Sequence, residues 1–111
     1  MIHSNSHTYI AEAVDTAAKR AAFMHWFGMP LLQGELLILL YANAGQFLTA
    51  EHLANLCCAT PSNIGVRIHK LRSAMNTEAV DFVKGQGYRL TEVGVEEAKE
   101  AMEAMARSLV A

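Results

Sequence analysis

The sequence has few of the residues that cross-link a chain, and it has no long apolar run. Its 111 residues include two cysteines, two prolines and 7% aromatic side chains. The longest run of large aliphatic residues, 36–40, is far short of the roughly 20 residues that a membrane-spanning helix needs. The polar segment 1–8 has neither the basic region nor the apolar stretch of a secretory signal. We therefore expect a cytoplasmic protein that makes no membrane contact.

The chain also lacks recognisable motifs for catalysis, metals or cofactors. Cys57 and Cys58 are adjacent, a spacing that suits neither an unstrained disulfide nor a zinc site. We interpret them as small apolar residues near a helix end. His3 and His7 are spaced like metal ligands on a helix, but they lie in or beside a polar tail, and we expect no metal there. Because no nucleophile–base motif, phosphate loop or paired carboxylates stand out, we expect no enzymatic activity and no cofactor.

Charge is segregated along the chain, although the net charge is only −2. Residues 62–89 contain five Lys and Arg against two Asp and Glu, whereas residues 90–111 contain two against five. A basic segment between acidic flanks is typical of a protein that presents one face to phosphate groups.

The first part of the chain predicts two helices, over 8–27 and 32–43. The first carries an apolar stripe at three- and four-residue steps, made of Ile10, Val14, Ala17, Ala21 and Met24. The second is apolar on nearly all sides, which requires cover on more than one face. Gly28 and Pro30 separate the two helices, and Gly45 can supply the left-handed conformation that ends the second.

Two further helices follow, with a short turn between them. Thr49 is a good N-cap for a short helix that ends near Cys58 and points Leu53 and Leu56 inward. Thr60 and Pro61 start the next helix, 61–75, since proline loses nothing at the first helical position. The apolar stripe of that helix is Ile64, Ile68, Leu71 and Met75. Two or three residues between the helices is the spacing of a helix-turn-helix.

A change of period after residue 76 predicts a β-hairpin and then a last helix. Residues 80–83 and 88–90 form two short strands, and two glycines in the connection 84–87 are free to take positive φ. Thr91 caps a helix over 92–110. That helix carries a heptad seam of Val95, Ala98, Met102, Met105 and Leu109.

This order of elements is that of a winged helix-turn-helix. We predict one mainly α domain, 1–111, with an N-terminal helix at 8–27, a winged helix-turn-helix core with a small β-hairpin wing at 32–90, and a C-terminal helix at 91–110. In such a fold the helix after the turn lies in the major groove of DNA, and the hairpin reaches phosphates or the minor groove. The basic segment coincides with these two elements.

Residues 36–90 resemble the C-terminal effector domain of OmpR/PhoB-type response regulators. The resemblance lies in segments 43–49, 63–72 and 83–90. The second is similar to the family's V-x-V-x-I-x-x-L-R recognition helix, and the third to its V-R-G-x-G-Y-R wing. About half of the chain is covered, and the resemblance implies double-stranded DNA as the partner.

The resemblance also implies roles for residues of the helix 61–75 and the wing 80–90. Val66 and Lys70 would face bases in the major groove. Asn63, Arg67, His69 and Arg72 would be divided between base edges and phosphates. Lys84 and Arg89 would serve the wing, whose turn Gly85 and Gly87 would shape. Together with the other polar residues turned away from the stripe or placed at the wing, the predicted DNA-binding set is Ser62, Asn63, Val66, Arg67, His69, Lys70, Arg72, Ser73, Lys84, Gln86 and Arg89.

The chain departs from that family at both ends of the resemblance. No phosphoacceptor receiver domain precedes the core within this chain, the helix 8–27 stands in place of an N-terminal sheet, and a long helix follows the wing.

The helix 32–43 carries Ile38 and its neighbours on its outer side, so something must cover that surface. The flanking helices could pack within one chain, or at least one could pair across a two-fold axis. We favour a homodimer, which would place two recognition helices on successive major-groove faces.

We therefore predict a sequence-specific DNA-binding transcriptional regulator of the bacterial or phage type. The alternative is a winged-helix protein-interaction module, such as an antirepressor or a transcription cofactor, that does not bind DNA itself. The face that bears Asn63, Val66, His69 and Lys70 distinguishes the two. If another segment covers this face, the DNA interpretation is wrong.

Overall fold

The computed structural model describes the backbone of residues 2–110 and the side chains of residues 15–108. This part of the chain forms five α-helices and one β-hairpin, and the predicted winged helix-turn-helix with flanking helices is confirmed. The helices are α1 (Ile2–Phe27), α2 (Leu31–Ala42), α3 (Ala50–Leu56), α4 (Pro61–Ala74) and α5 (Glu92–Val110). The strands β1 (Val80–Val83) and β2 (Gly87–Leu90) lie between α4 and α5.

Three threonines start three of the helices, as the sequence predicts. The hydroxyl of Thr49 accepts a hydrogen bond of 3.1 Å from the His52 N–H at the start of α3. The Thr60 hydroxyl accepts from the Asn63 N–H at 3.2 Å, and Pro61 occupies the first turn of α4. Thr91 does the same for α5 at 3.3 Å, and its hydroxyl also contacts the Glu78 carbonyl oxygen at 2.7 Å. Each side chain satisfies an amide that the helix leaves without a partner.

The wing is an antiparallel pair in which Val80 faces Leu90 and Val83 faces Gly87. Gly85 and Gly87 have φ of +86° and +110°, which confirms the predicted positive φ. Leu48 lies on the other side of β2. Its N–H donates to the Tyr88 carbonyl oxygen at 2.7 Å, and the Tyr88 N–H donates to the Leu48 carbonyl oxygen at 2.8 Å. The wing is thereby hydrogen-bonded to the segment between α2 and α3.

One hydrophobic core joins the helix-turn-helix, the wing and α5. The predicted stripe of α4 is buried along its whole length: Ile64, Ile68, Leu71 and Met75. It packs among Leu36, Leu37 and Leu40 of α2, Leu53 of α3, Val80 and Leu90 of the wing, and Ala98 and Ala101 of α5. The face of α4 opposite this stripe is consequently turned away from the core.

The flanking helices pack within the chain, since α1 contacts both α2 and α5. Phe23 is fully buried and its ring lies 6.2 Å from that of Tyr41 in α2. The stripe predicted for α1 is wrong at Ala17 and Ala21, which are exposed. Alanine fits either face of a helix, so its spacing did not locate the buried face. The side chains of Ile10 and Val14 lie outside the described residues.

Two further expectations about helices are wrong. The first helix begins at Ile2 rather than at residue 8. Leu56, expected to point inward, is 49% exposed, because α3 ends there and the chain turns towards α4. The two cysteines that follow differ in burial. Cys57 packs against the core, whereas Cys58 is exposed and so is not the apolar filler that the sequence predicts.

Among the described residues, no single helix is both long and apolar enough to cross a membrane. Residues 15–27 and 31–42 reach the required length and hydropathy only as a pair, and that pair is bent by 118° at its break.

Candidate nucleic-acid interface

Six of the predicted contact residues share the exposed face of α4. They lie opposite the buried stripe, where the helical repeat places them, and no other described part of the chain covers them. They are Ser62, Asn63, Val66, His69, Lys70 and Ser73, all of them exposed. The face is therefore free to meet a partner.

Two serines of this face make hydrogen-bonding contacts with α4 and its N-cap. The Ser73 hydroxyl donates to the His69 carbonyl oxygen at 3.0 Å. The Ser62 hydroxyl lies 3.3 Å from that of Thr60 at the helix start. Both hydroxyls keep acceptor capacity towards solvent, because an oxygen of this type has two lone pairs.

Arg72, also predicted as a contact, is half-buried on the side of α4 that faces the wing. Its Nε donates a hydrogen bond to the Val80 carbonyl oxygen at 3.1 Å. Gly65 lies two turns earlier on the same flank, and a Cβ atom there would be 3.9 Å from the Tyr88 hydroxyl oxygen. Arg72 thus fixes the position of the wing against α4.

Two of the predicted contacts on the wing are exposed, and the third is engaged in contacts within the chain. Lys84 and Gln86 are exposed at the turn. Arg89 instead pairs with Asp81 on the neighbouring strand at 3.2 Å, and its guanidinium carbon lies 4.7 Å from the centre of the Phe47 ring. Because the register places Asp81 directly opposite Arg89, the acid on the wing is compensated within the hairpin.

Arg67 lies apart from the other predicted contacts, on the opposite flank of α4 from Arg72. It is half-buried beside Cys57, at the edge of a groove that Glu35 also lines. Burial raises the pKa of the Cys57 thiol, and the nearby guanidinium of Arg67 opposes that rise by favouring the thiolate. The side chain of Arg67 therefore points towards α2 and α3.

Two apolar residues beside the polar face, Phe82 and Val83, were not among the contacts predicted from the sequence. Phe82 and Val66 are each 52% exposed, and Val83 is 36% exposed. The rings of Phe82 and Tyr88 are 4.9 Å apart. The pairing of Phe82 with Tyr88 across the hairpin is the feature by which the sequence could have indicated this aromatic pair. Both stand on the core side of the sheet, closer to the turn than Val80 and Leu90; Tyr88 still packs against the core, whereas Phe82 is exposed.

The charges of the interface come mainly from two lysines. Among the side chains that the structure describes, Lys70 and Lys84 form no ion pair. Within the same part of the chain, no three His, Cys, Asp or Glu residues are grouped as metal ligands. The side chains of His3 and His7 lie outside it. The exposed face offers cations, amides and hydroxyls, which suit phosphates and base edges.

No protein-family model, curated protein or solved structure matches this chain.

Proposed function

We propose that this protein is a sequence-specific regulator of transcription that binds double-stranded DNA as a homodimer. In this proposal α4 enters the major groove, and the wing follows the neighbouring backbone or minor groove. An α-helix fits the major groove, where each base pair presents a distinct pattern of donors and acceptors.

The exposed face of α4 is the observation that carries the proposal. A winged-helix protein whose own chain covered this face could not use it on DNA. Here Asn63, His69 and Lys70 are exposed together, whereas α5 packs on α1 and the hairpin. Polar side chains that can pair with base edges thus stand on the one face of α4 that the described chain leaves open.

In the proposed complex the predicted contacts fall into three groups. Asn63, His69 and Lys70 would meet base edges, with Val66 available to a thymine methyl group. Ser62, Ser73, Lys84 and Gln86 would meet phosphates. Arg72 and Arg89 hold the wing in place, and Arg67 faces elsewhere.

For the homodimer we propose the surface that α1 and α5 form together. Two shallow grooves of about 200 and 120 Å³ run along these helices and share Ala22 and Met105. Trp26 lines the smaller groove and is 49% exposed. Two copies related by a two-fold axis would bury this tryptophan, and binding of a palindromic site would require their α4 helices about one DNA turn, roughly 34–36 Å, apart.

A salt-dependent binding titration on mixed genomic fragments, with light scattering for mass, tests the proposal. We expect the mass of a dimer and tight binding to a subset of fragments. That binding should weaken steeply with salt, because each neutralised phosphate releases counterions. Absence of binding at low salt would refute the DNA function.

The alternative function, a protein-interaction module, is favoured by one observation. Val66, Phe82 and Val83 are apolar and exposed on or beside the proposed DNA face, and protein interfaces have apolar centres. A Phe82→Ser variant distinguishes the two functions. A DNA regulator would keep its preference among DNA fragments, whereas a protein-binding module would lose capture of its partner and bind no fragment selectively.

A further inference from the structure

A concave apolar groove lies between α2 and the helix-turn-helix, away from the exposed face of α4. Its volume is about 300 Å³, at the lower end of the range for small-molecule sites. One wall is aliphatic and belongs to α2, with Leu31 and Leu32 near the opening and Ile38 deeper. The other wall is the end of α3 and the turn, from Leu56 to Cys58.

The groove holds apolar surface that the fold does not cover. Leu31, Leu32 and Leu56 are 48%, 50% and 49% exposed. Three leucines exposed around one concavity differ from single leucines scattered over a surface, which are ordinary. An apolar body of matching size would remove them from water.

The charged residues at the rim of the groove indicate which polar group a bound molecule should carry. Glu35 lines the groove, but its carboxylate lies 3.1 Å from the Nε of Arg20, which balances its charge. Arg67 also lines the groove, lies beside the thiol of Cys57, and forms no ion pair with the described side chains. Of the two charged residues that line the groove, Glu35 is thus neutralised by Arg20 from outside the lining, whereas Arg67 has no such partner among the described residues. A guanidinium binds a carboxylate through two parallel hydrogen bonds.

We propose that this groove binds a small apolar carboxylate, with its chain among the leucines and its carboxylate on Arg67. The site stands independently of DNA binding, because none of its residues belongs to the exposed face of α4. A carboxylate is favoured over a neutral apolar molecule by Arg67. A small molecule is favoured over a helix of another protein by the size of the groove.

Titration calorimetry of the full chain with sodium octanoate tests the site. We expect saturable binding of one octanoate per chain. Arg67→Gln should weaken it roughly tenfold, the loss of one charge-assisted hydrogen bond, and octan-1-ol should bind the unaltered protein roughly tenfold more weakly than octanoate. Arg107→Gln, which removes an exposed arginine of α5 outside the groove, is the control and should leave binding unchanged.

Two further measurements place the ligand and guard against misfolding. Leu56→Glu puts a carboxylate at an exposed position of the groove, so it should fold and repel octanoate. In a Cys57→Ser background, bound octanoate should slow alkylation of Cys58, which lines the groove, by iodoacetamide. No saturable binding, equal binding to Arg67→Gln, or equal binding of octan-1-ol would overturn the proposal. So would a dimer that Leu56→Glu splits, since a second copy would then fill the groove.

Discussion

The Nε atom of Arg72 in α4 lies 3.1 Å from the main-chain carbonyl oxygen of Val80 in β1 and donates a hydrogen bond to it. On the same flank of α4, a Cβ atom at Gly65 would lie 3.9 Å from the Tyr88 hydroxyl oxygen, an ordinary contact distance. The wing therefore lies close along this flank and is hydrogen-bonded to it through Arg72. The spacing between the two proposed DNA-binding elements is built into the fold before any ligand arrives.

Loss of the first contact should cost stability. In Arg72→Met the Val80 carbonyl oxygen loses its charged donor, and we expect the free energy of unfolding to fall by about 1–2 kcal/mol. Urea denaturation measures this. Ser73→Ala, an exposed neighbour, is the control and should change stability by less than about 0.5 kcal/mol. An unchanged free energy of unfolding in Arg72→Met would mean that the hydrogen bond does not hold the wing.

The two lysines of the interface should behave differently on DNA. Lys70→Ala should weaken binding to the preferred site by about 1–3 kcal/mol and relax the preference at one base pair. Lys84→Ala should weaken binding to all sequences alike and reduce the salt slope by about one unit. Lys99→Ala on α5 is the matched control and should do neither. Equal effects of Lys70→Ala and Lys84→Ala on every sequence would contradict base reading by Lys70.

Gly87 should tolerate no side chain, whereas Gly85 should tolerate one at moderate cost. A Cβ atom at Gly87 would clash with the Leu48 carbonyl group, and φ is +110°. A Cβ atom at Gly85 would meet nothing within 4 Å, so only its φ of +86° opposes substitution. We expect Gly85→Ala to cost about 1–2 kcal/mol and Gly87→Ala to cost clearly more, by thermal or urea unfolding. Equal costs would contradict the bridge between Leu48 and β2.

Replacement of Cys58 by glycine should raise the stability of the protein. Cys58 has φ of +52° in the turn between α3 and α4, a left-handed conformation that costs most residues about 1–2 kcal/mol. Glycine avoids that cost but loses more entropy on folding, so we expect Cys58→Gly to gain about 0.5–1 kcal/mol. Cys58→Ser is the control and should be near neutral. A loss of stability in Cys58→Gly would show that the thiol makes a contact worth more than the strain.

Trp26 should control the oligomeric state if α1 and α5 form the dimer. Because it is half-exposed, Trp26→Lys should leave the monomer folded and shift the mass from dimer to monomer in analytical ultracentrifugation. Val93→Lys, at an exposed apolar position at the start of α5, is the control. A dimer that survives Trp26→Lys would place the two-fold axis elsewhere.

Local signals in the sequence located most of the fold. Thr49, Thr60 and Thr91 cap the helices that they were expected to cap, and Gly85 and Gly87 take the predicted positive φ. Each of these depends on one residue and its near neighbours. The buried stripe of α4 was equally accessible, because large aliphatic residues at helical spacing must face the core.

Features that depend on distant partners could not be read in this way. Ala17 suits either face of a helix, and the positions of α2 and α5 decide which face of α1 is buried. Whether Arg67 points to solvent or to a groove depends on how α2 packs beside the turn. Arg89 was predicted as a contact from a resemblance, yet its pairing with Asp81 and Phe47 follows from hairpin register and the path of the chain before α3.

The bridge between Leu48 and Tyr88 bears on how the chain folds during synthesis. A nascent chain that has emerged only as far as α4 has no β2 to pair with Leu48, and it lacks Leu90 and Ala98 of the core. Such an intermediate would leave apolar surface open, a state prone to aggregation. The helix-turn-helix should therefore fold together with the last quarter of the chain, and C-terminal truncations ending before β2 should accumulate as insoluble or degraded material.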